Sequence, residues 1–409
     1  DITHPNIRFQ QTRTPQRDMS RVDQNPVKYH RDEDSETFKP VVDVKQGGQR
    51  SWNWKKLLGS HENAHIAFTL SAQAVIAAFL ILLSGYWFEP MMSYQSGSAL
   101  LPVLMTMIVL MSFGLFKLNM HLGKPHRFYR GFYNLRHSPV SREIAGVSAF
   151  YTGLLGYSFF ALIAVYVTDF AEYASYLQML FAAVGVLGAI FGGYFMYRLY
   201  RIEARPFWNH WYTAASFCAT GLTLGSLLLA LAALVFSSMN DGLGQLLTGL
   251  VAIGLLLEIV GLGGHAKSLQ ASDSEGAASF YLQTTQYGNA YRLRNAMLLL
   301  ALLLTAYIGF SGDHGLFTYG LLAAIVIASN VISRALFYVV VIPTTMPGAF
   351  FWKNAGFVEH ARETGLADMP QMGVAYETHH AFKVDELFET IRSTTMKQKY
   401  AQLRSIFTG

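Results

Sequence analysis

The chain is predicted to be an all-α integral membrane bundle of eight transmembrane helices with polar N- and C-terminal extensions, and three observations predict it. Apolar residues make up 52% of the 409 positions against 14% charged, and mean hydropathy is positive at +0.27, a departure from soluble averages in the membrane direction. Runs of about 20 apolar residues, each enough to cross a hydrocarbon core as a helix, recur at 65–88, 98–120, 143–168, 175–200, 212–237, 244–263, 293–311 and 316–341. Basic residues also fall in alternate connectors, as they do when one side of a membrane holds them back.

Residues 1–60 come first, with Pro5, Pro15, Pro26 and Pro40, mixed charge and no sustained apolar period. They read as a polar extended arm suited to wrapping a partner. Asp1 in place of Met is what a processed chain, or a segment of a longer product, would show. The first apolar run is too long and begins too late for a cleaved signal peptide. Residues 61–345 form the eight-span domain. Residues 346–409 follow a break at Pro343 and Pro347 and read as a cytoplasmic tail, with candidate surface helices at 352–365 and 383–406.

Charge fixes an expected orientation. Lys45, Arg50, Lys55 and Lys56 precede span one. Lys124, Arg127, Arg130, Arg136 and Arg142 lie between spans two and three. Arg198, Arg201 and Arg205 follow span four, and Lys267, Arg292 and Arg294 lie between spans six and seven. Connectors 89–97, 169–174, 238–243 and 312–315 contain neither Lys nor Arg. The positive-inside rule places both termini and the 121–143 connector in the cytoplasm, which an even number of spans requires. The formal charge of +5 and pI near 9.1 therefore reflect membrane topology and not nucleic-acid binding.

The 121–143 connector carries the chemistry. His121 stands at the end of span two, where Gly123 and Pro125 stop the helix. There an imidazole can hydrogen-bond a quinone carbonyl and exchange a proton near neutral pH. Glu143 opens span three, with Ser141 as a candidate N-cap. Its bland role is to oppose the helix dipole from the first turn, and its functional role is to accept a proton beside the same pocket. Arg127 and Arg130 can orient a quinone headgroup, but lipid phosphates and acidic groups on a docked subunit rank above that role.

Other candidates are weaker. His61, His65, His210 and His265 lie at cytoplasmic ends, and no span carries a histidine near its opposite end. A two-haem relay, which needs axial ligands at two depths, is therefore not supported; one haem near the cytoplasmic side is left open as a minor alternative. Cys218 is alone, so no disulfide and no cysteine-held zinc or iron–sulfur cluster can be built from this chain. Glu258, inside span six, is a candidate for proton access or for plain satisfaction by a neighbouring hydroxyl. Arg334 in span eight is deeper than a snorkelling residue would be. Tyr194, Tyr197, Tyr200 and Tyr338, with Arg198 and Arg201, read most simply as interface residues. Gly188, Gly192 and Gly193 suit close helix packing. Phosphate-binding loops, dinucleotide fingerprints and a Ser-His-Asp order are absent.

Several strings together resemble the membrane anchor subunits of the dimethyl sulfoxide reductase type, within the wider polysulfide-reductase anchor group. They are His61-Glu62 with residues 66–73, His121-Leu122-Gly123-Lys124-Pro125, and Ser141-Arg142-Glu143-Ile144, followed by residues 196–200 with Trp208-Asn209-His210-Trp211, and residues 333–338. The resemblance covers about residues 60–345. It implies a multi-pass subunit of the bacterial cytoplasmic membrane that binds neither haem nor iron–sulfur cluster. Such an anchor holds a four-cluster iron–sulfur subunit and a molybdopterin catalytic subunit, and exchanges electrons with quinone. The chain would then carry the quinone redox site and not the catalytic centre. In that family the residues matching His121 and Glu143 belong to the quinone site. Arg127 and Ser141 are added here from position alone.

The chain departs from that family at both ends. Residues 5–9 of the arm faintly resemble the tails of ferredoxin-like partner subunits. The charge asymmetry puts the 121–143 connector, and with it the catalytic subunits, in the cytoplasm, which looks more like the related sulfite-oxidising complexes with electrons flowing into quinone. Two readings from other classes remain. One is a secondary transporter coupled through Glu258 and Arg334, against which the lack of visible repeat symmetry counts. The other is a b-type cytochrome anchor.

Overall fold

The computed structural model describes residues 50–344 apart from 61, 88–90, 92–98, 121, 123–124, 237 and 273, together with 27–31, 38–42 and short stretches between 388 and 401. His61 and His121 thus lie outside the described residues, as does the candidate helix at 352–365; of 383–406, several short stretches are helical.

Among the described residues, eight helices are long and apolar enough to cross a membrane. They are α2 (Asn63–Ser84), α3 (Leu100–Met120), α4 (Pro139–Tyr166), α5 (Ala171–Tyr200), α6 (Tyr212–Val235), α7 (Asp241–Gln270), α9 (Gly288–Ser311) and α10 (Leu316–Val339). Two short helices, α1 (Trp54–Leu58) and α8 (Glu275–Thr284), complete the described bundle. Within the arm, strands β1 (Val27–Arg31) and β2 (Phe38–Val42) pair antiparallel, with Val27 opposite Val42.

The spans sit close to their expected places, and the differences have simple causes. Helix α7 runs on to Gln270 and α9 begins at Gly288. The apolar runs stop at His265 and Lys267 and resume after Arg294, but the helices continue through those polar residues. Helix α4 starts at Pro139, four residues before the apolar run. Ser138 is its N-cap, accepting the Ser141 amide at 3.3 Å. Proline suits the first helical turn, where its missing N–H is no loss. Ser141 is therefore not the cap but a buried residue of the first turn.

Helices α2 and α6 form the centre and are the most deeply buried of the eight. Helix α2 packs on α3, α6 and α10, and α6 on α2, α7 and α10. Helices α4 and α5 make the tightest pair. A Cβ at Gly153 would lie 2.3 Å from the Gly185 backbone, and one at Gly188 would lie 2.2 Å from the Phe150 amide. Small residues let the two backbones touch. Gly193 meets nothing and plays no part in this packing. Leu187, Ile190, Leu303 and Phe310 face outward, as lipid contact requires.

The flanking segments are tied to one end of the bundle. Ser51 donates its amide to Thr285 O at 3.1 Å, and Thr344 does the same to Ala204 O at 2.9 Å. The Ile342 amide reaches Ser279 Oγ of α8 at 3.0 Å. At this end the start of α4 packs on the end of α5, and the end of α5 bonds the end of α10.

Candidate functional site

Glu143 lies in the second turn of α4, because the helix begins at Pro139. The dipole argument weakens accordingly, since that effect fades beyond the first turn. Its side chain is 7% exposed, and no hydrogen-bond partner for the carboxyl is found among the described residues. A buried polar group without a partner is costly unless something else satisfies it. At the same end of the bundle stand the hydroxyls of Tyr200 on α5 and Tyr338 on α10. Those two hydroxyls are 2.6 Å apart and join the end of α5 to the end of α10.

The preceding connector is braced by Arg142. Its Nε donates to Leu135 O at 2.8 Å, its Nη2 donates to Arg136 O, and the guanidinium lies 5.2 Å from the Phe195 ring centroid. Residues Pro125–Phe132 form a 3-10 helix, and Arg127 and Arg130 on it are exposed. No hydrogen bond or ion pair between Arg127 and Glu143 is found among the described residues. The exposure of Arg127 suits the lipid or partner contacts ranked first for it.

Two buried polar networks flank α10. In the first, Arg334 is 2% exposed and donates from Nη2 to Gln73 Oε1 at 2.8 Å and to Thr220 Oγ1 at 3.2 Å. Thr220 in turn donates to Asn330 Oδ1 at 2.9 Å. The Arg334 guanidinium lies 4.4 Å over Phe217, and its Nη1 has no partner among the described residues. In the second, Glu258 Oε1 accepts from Tyr212 at 2.7 Å and from Ser333 at 3.2 Å. Arg294, 1% exposed, donates from Nη1 to Ser333 Oγ at 3.3 Å and from Nε to Asn295 Oδ1 at 2.8 Å. Glu258 and Arg334, paired in the transporter reading, belong to separate networks. Glu258 Oε1 is held by neighbouring hydroxyls, while its Oε2 is buried without a partner among the described residues.

The histidines divide by environment. The His65 ring lies 5.9 Å from Tyr338, and its Nδ1 is 3.1 Å from Glu62 Oε2. His265 bonds Phe207 O at 2.9 Å and stacks on Tyr212. His210, in the connector outside the spans, is held below the usual histidine range by burial and by the nearby Arg201 charge. At the opposite end His314 packs against Gly244 and sits 3.4 Å from the Tyr319 hydroxyl. A histidine does therefore occur near that face, contrary to the count made from the spans alone. Among the described residues, no group of three His, Cys, Asp or Glu gathers that could hold a metal.

Sequence reasoning missed the partners more than the principals. Tyr200 and Tyr338 are each 5% exposed and bonded to one another, not snorkelling at an interface. Arg294 is inside a helix and buried, not in a basic connector. Their signal was a tyrosine or arginine within a turn of other polar residues in an otherwise apolar run. Tyr194 and Arg198 are exposed, as the interface reading expects.

A quinone fits this end of the bundle on two observations. Glu143 is buried, and no hydrogen bond to its carboxyl is found among the described residues, so the carboxyl is free to bond a carbonyl or hydroxyl group. Beginning one helical turn along from it, an apolar groove of about 630 Å³ runs between α4 and α5, lined by Gly146, Ala149, Gly188, Phe191 and Tyr194 among others.

Comparison with known proteins gives a consistent result. A family model described as the DMSO reductase anchor subunit (DmsC) matches residues 57–340. The C subunit of the anaerobic dimethyl sulfoxide reductase of Haemophilus influenzae is 30% identical over 199 residues, which cover 49% of this protein and 68% of that one. No solved structure matches.

Proposed function

Since the chain belongs to the dimethyl sulfoxide reductase anchor subunit family, we propose that it is the quinone-reactive membrane subunit of a molybdopterin and iron–sulfur oxidoreductase. It would hold an iron–sulfur subunit of four clusters and, through it, the catalytic subunit. Electrons would pass between the docked clusters and the membrane quinone pool. The observation that carries the reading is the buried Glu143 carboxyl, unpaired among the described residues, at the end of the bundle where the flanking segments gather.

Quinone supplies the two-electron, two-proton chemistry when bound. The chain's own residues hold and move the protons. Glu143 takes or gives one at its carboxyl, and His121, which follows the end of α3, does the same at its imidazole. Ser141, buried in the first turn of α4, shapes the wall beside Glu143, and Arg127 faces lipid or the docked subunit. The aromatic cluster of Trp208, Phe217 and Phe337 around Tyr200 keeps bulk water out.

His121→Ala is expected to abolish quinone-linked turnover and inhibitor binding in a complex that still assembles. Normal turnover in that variant would reject the site.

The basic connectors support a cytoplasmic position for this end, both termini and the catalytic subunits, in a bacterial inner membrane. With that orientation, electron flow into quinone, as in sulfite-oxidising complexes, is the direction proposed. In a Cys218→Ser background, Arg130→Cys is expected to resist a membrane-impermeant thiol reagent applied from outside, and Asn240→Cys to react. Outside labelling at 130 would overturn the orientation.

A further inference from the structure

We propose that a water molecule binds inside the bundle between the Glu258 carboxyl and the Arg294 guanidinium, held by the second oxygen of one and the second terminal nitrogen of the other. The site is built from α6, α7, α9 and α10, and it owes nothing to the quinone reading of Glu143.

Both groups are satisfied on one side only. Glu258 is 5% exposed and Arg294 is 1% exposed. Glu258 Oε1 accepts twice, from the Tyr212 hydroxyl at 2.7 Å and from Ser333 Oγ at 3.2 Å. Arg294 donates from Nη1 to the same Ser333 Oγ at 3.3 Å and from Nε to Asn295 Oδ1 at 2.8 Å. The remaining atom of each group, Glu258 Oε2 and Arg294 Nη2, is buried and has no partner among the described residues. Leaving such atoms bare is costly, most of all on charged groups. Two of them at one place call for a common partner.

The two groups do not meet directly, since no ion pair between them is found among the described residues. Ser333 spans them instead, its hydroxyl donating to the carboxyl while accepting from the guanidinium. A gap that one hydroxyl bridges is within the reach of one water, which covers about 5 to 6 Å between two partners at normal hydrogen-bond lengths.

The chemistry of the walls selects the occupant. Oε2 accepts and Nη2 donates, so the occupant must donate to one and accept from the other at once. Arg294, which keeps its proton in proteins, repels a cation. An anion would meet the carboxyl oxygen where it needs a donor. Water carries both functions and is small, and buried waters are held by about two to four otherwise unsatisfied polar groups of this kind.

An entry lies beside the site. A groove of about 250 Å³ runs between α7 and α9, lined by Ile259, Leu262, Tyr291 and Asn295 among others. Asn295 accepts from Arg294 Nε, and the Arg294 guanidinium lies 4.8 Å from the Tyr291 ring centroid. The groove wall is thus one hydrogen bond from the Arg294 end of the site.

Radiolytic hydroxyl labelling of the intact complex, with a density map fine enough to show waters, tests the site. Radicals formed from a bound water modify the side chains around it, so burial alone does not protect them. Tyr212 and Tyr200 are each 5% exposed, but Tyr212 bonds Glu258 whereas Tyr200 bonds Tyr338 inside an aromatic shell. Tyr212 is expected to label several-fold faster than Tyr200, and to fall to the Tyr200 rate in Glu258→Leu. Equal labelling of the two in the parent, or unchanged Tyr212 labelling in the assembled variant, would overturn the site. The map of the parent complex is expected to show one solvent peak within hydrogen-bond distance of both Glu258 Oε2 and Arg294 Nη2. Direct contact of those two atoms, the lack of a peak between them, or density for a larger molecule would overturn it, whether or not the leucine variant assembles.

Discussion

Glu143→Gln is expected to lower quinone-linked turnover by about 10²- to 10⁴-fold, the usual worth of a general acid–base group, while the melting temperature of the complex stays level or rises. The two halves come from one physical cause. The carboxyl is buried and finds no hydrogen-bond donor among the described residues, so its ionised form is held at a desolvation cost. An amide of the same shape carries no charge and removes that cost, but it has no proton to exchange. Stability and activity should therefore part company. Glu143→Asp keeps the chemistry and withdraws it by one methylene, and an intermediate rate is expected. Thermal unfolding of the solubilised complex, read beside turnover, checks both. A Gln variant that loses stability and activity together would make Glu143 a structural residue.

Much of the fold was legible because a membrane span writes itself as a continuous apolar run. The starts of α6 and α10 at 212 and 316 match the runs that predict them. Ends were misread where helices carry polar residues beyond the lipid, as at His265 in α7 and Arg294 in α9, because hydropathy reports the solvent and not the backbone. Glu143, Glu258 and Arg334 stood out singly as charges in or beside apolar runs. Their partners did not. Tyr200 and Tyr338 are 138 residues apart in sequence, and Arg334 reaches Gln73 across 261. Pairing at such separations depends on the rotation of each helix about its axis. With hydrophobic residues all round a span, no periodic stripe reveals that rotation. The Ser138 cap was a nearer miss, since a serine before a proline marks a helix start in the sequence itself. His121 and His61 lie outside the described residues, so their roles rest on the resemblance and on the position of His121 after α3.

Arg334→Met is expected to destabilise the bundle by about 3 kcal/mol or more, the scale for removing one member of a buried charged network. The reason lies in what remains. Gln73 loses its bond from Arg334, and Thr220 and Asn330 lose the charge that orders them, in a setting where each unsatisfied group costs about 1–3 kcal/mol. Phe217 also loses a cation held 4.4 Å over its ring, a contact worth about 2 kcal/mol when desolvated. Lysine should not rescue it, because an ammonium cannot reach both Gln73 and Thr220 while lying flat on the ring. The informative variant is the double change Arg334→Met with Gln73→Met. Replacing both partners by apolar groups of similar volume removes the orphaned carbonyl as well as the charge, so the melting temperature should recover most of what the single variant loses. Quinone-linked turnover is read beside it. Recovery of both would make Arg334 a packing residue, and recovery of neither would mean that the Gln73 bond is not what ties Arg334 to the fold.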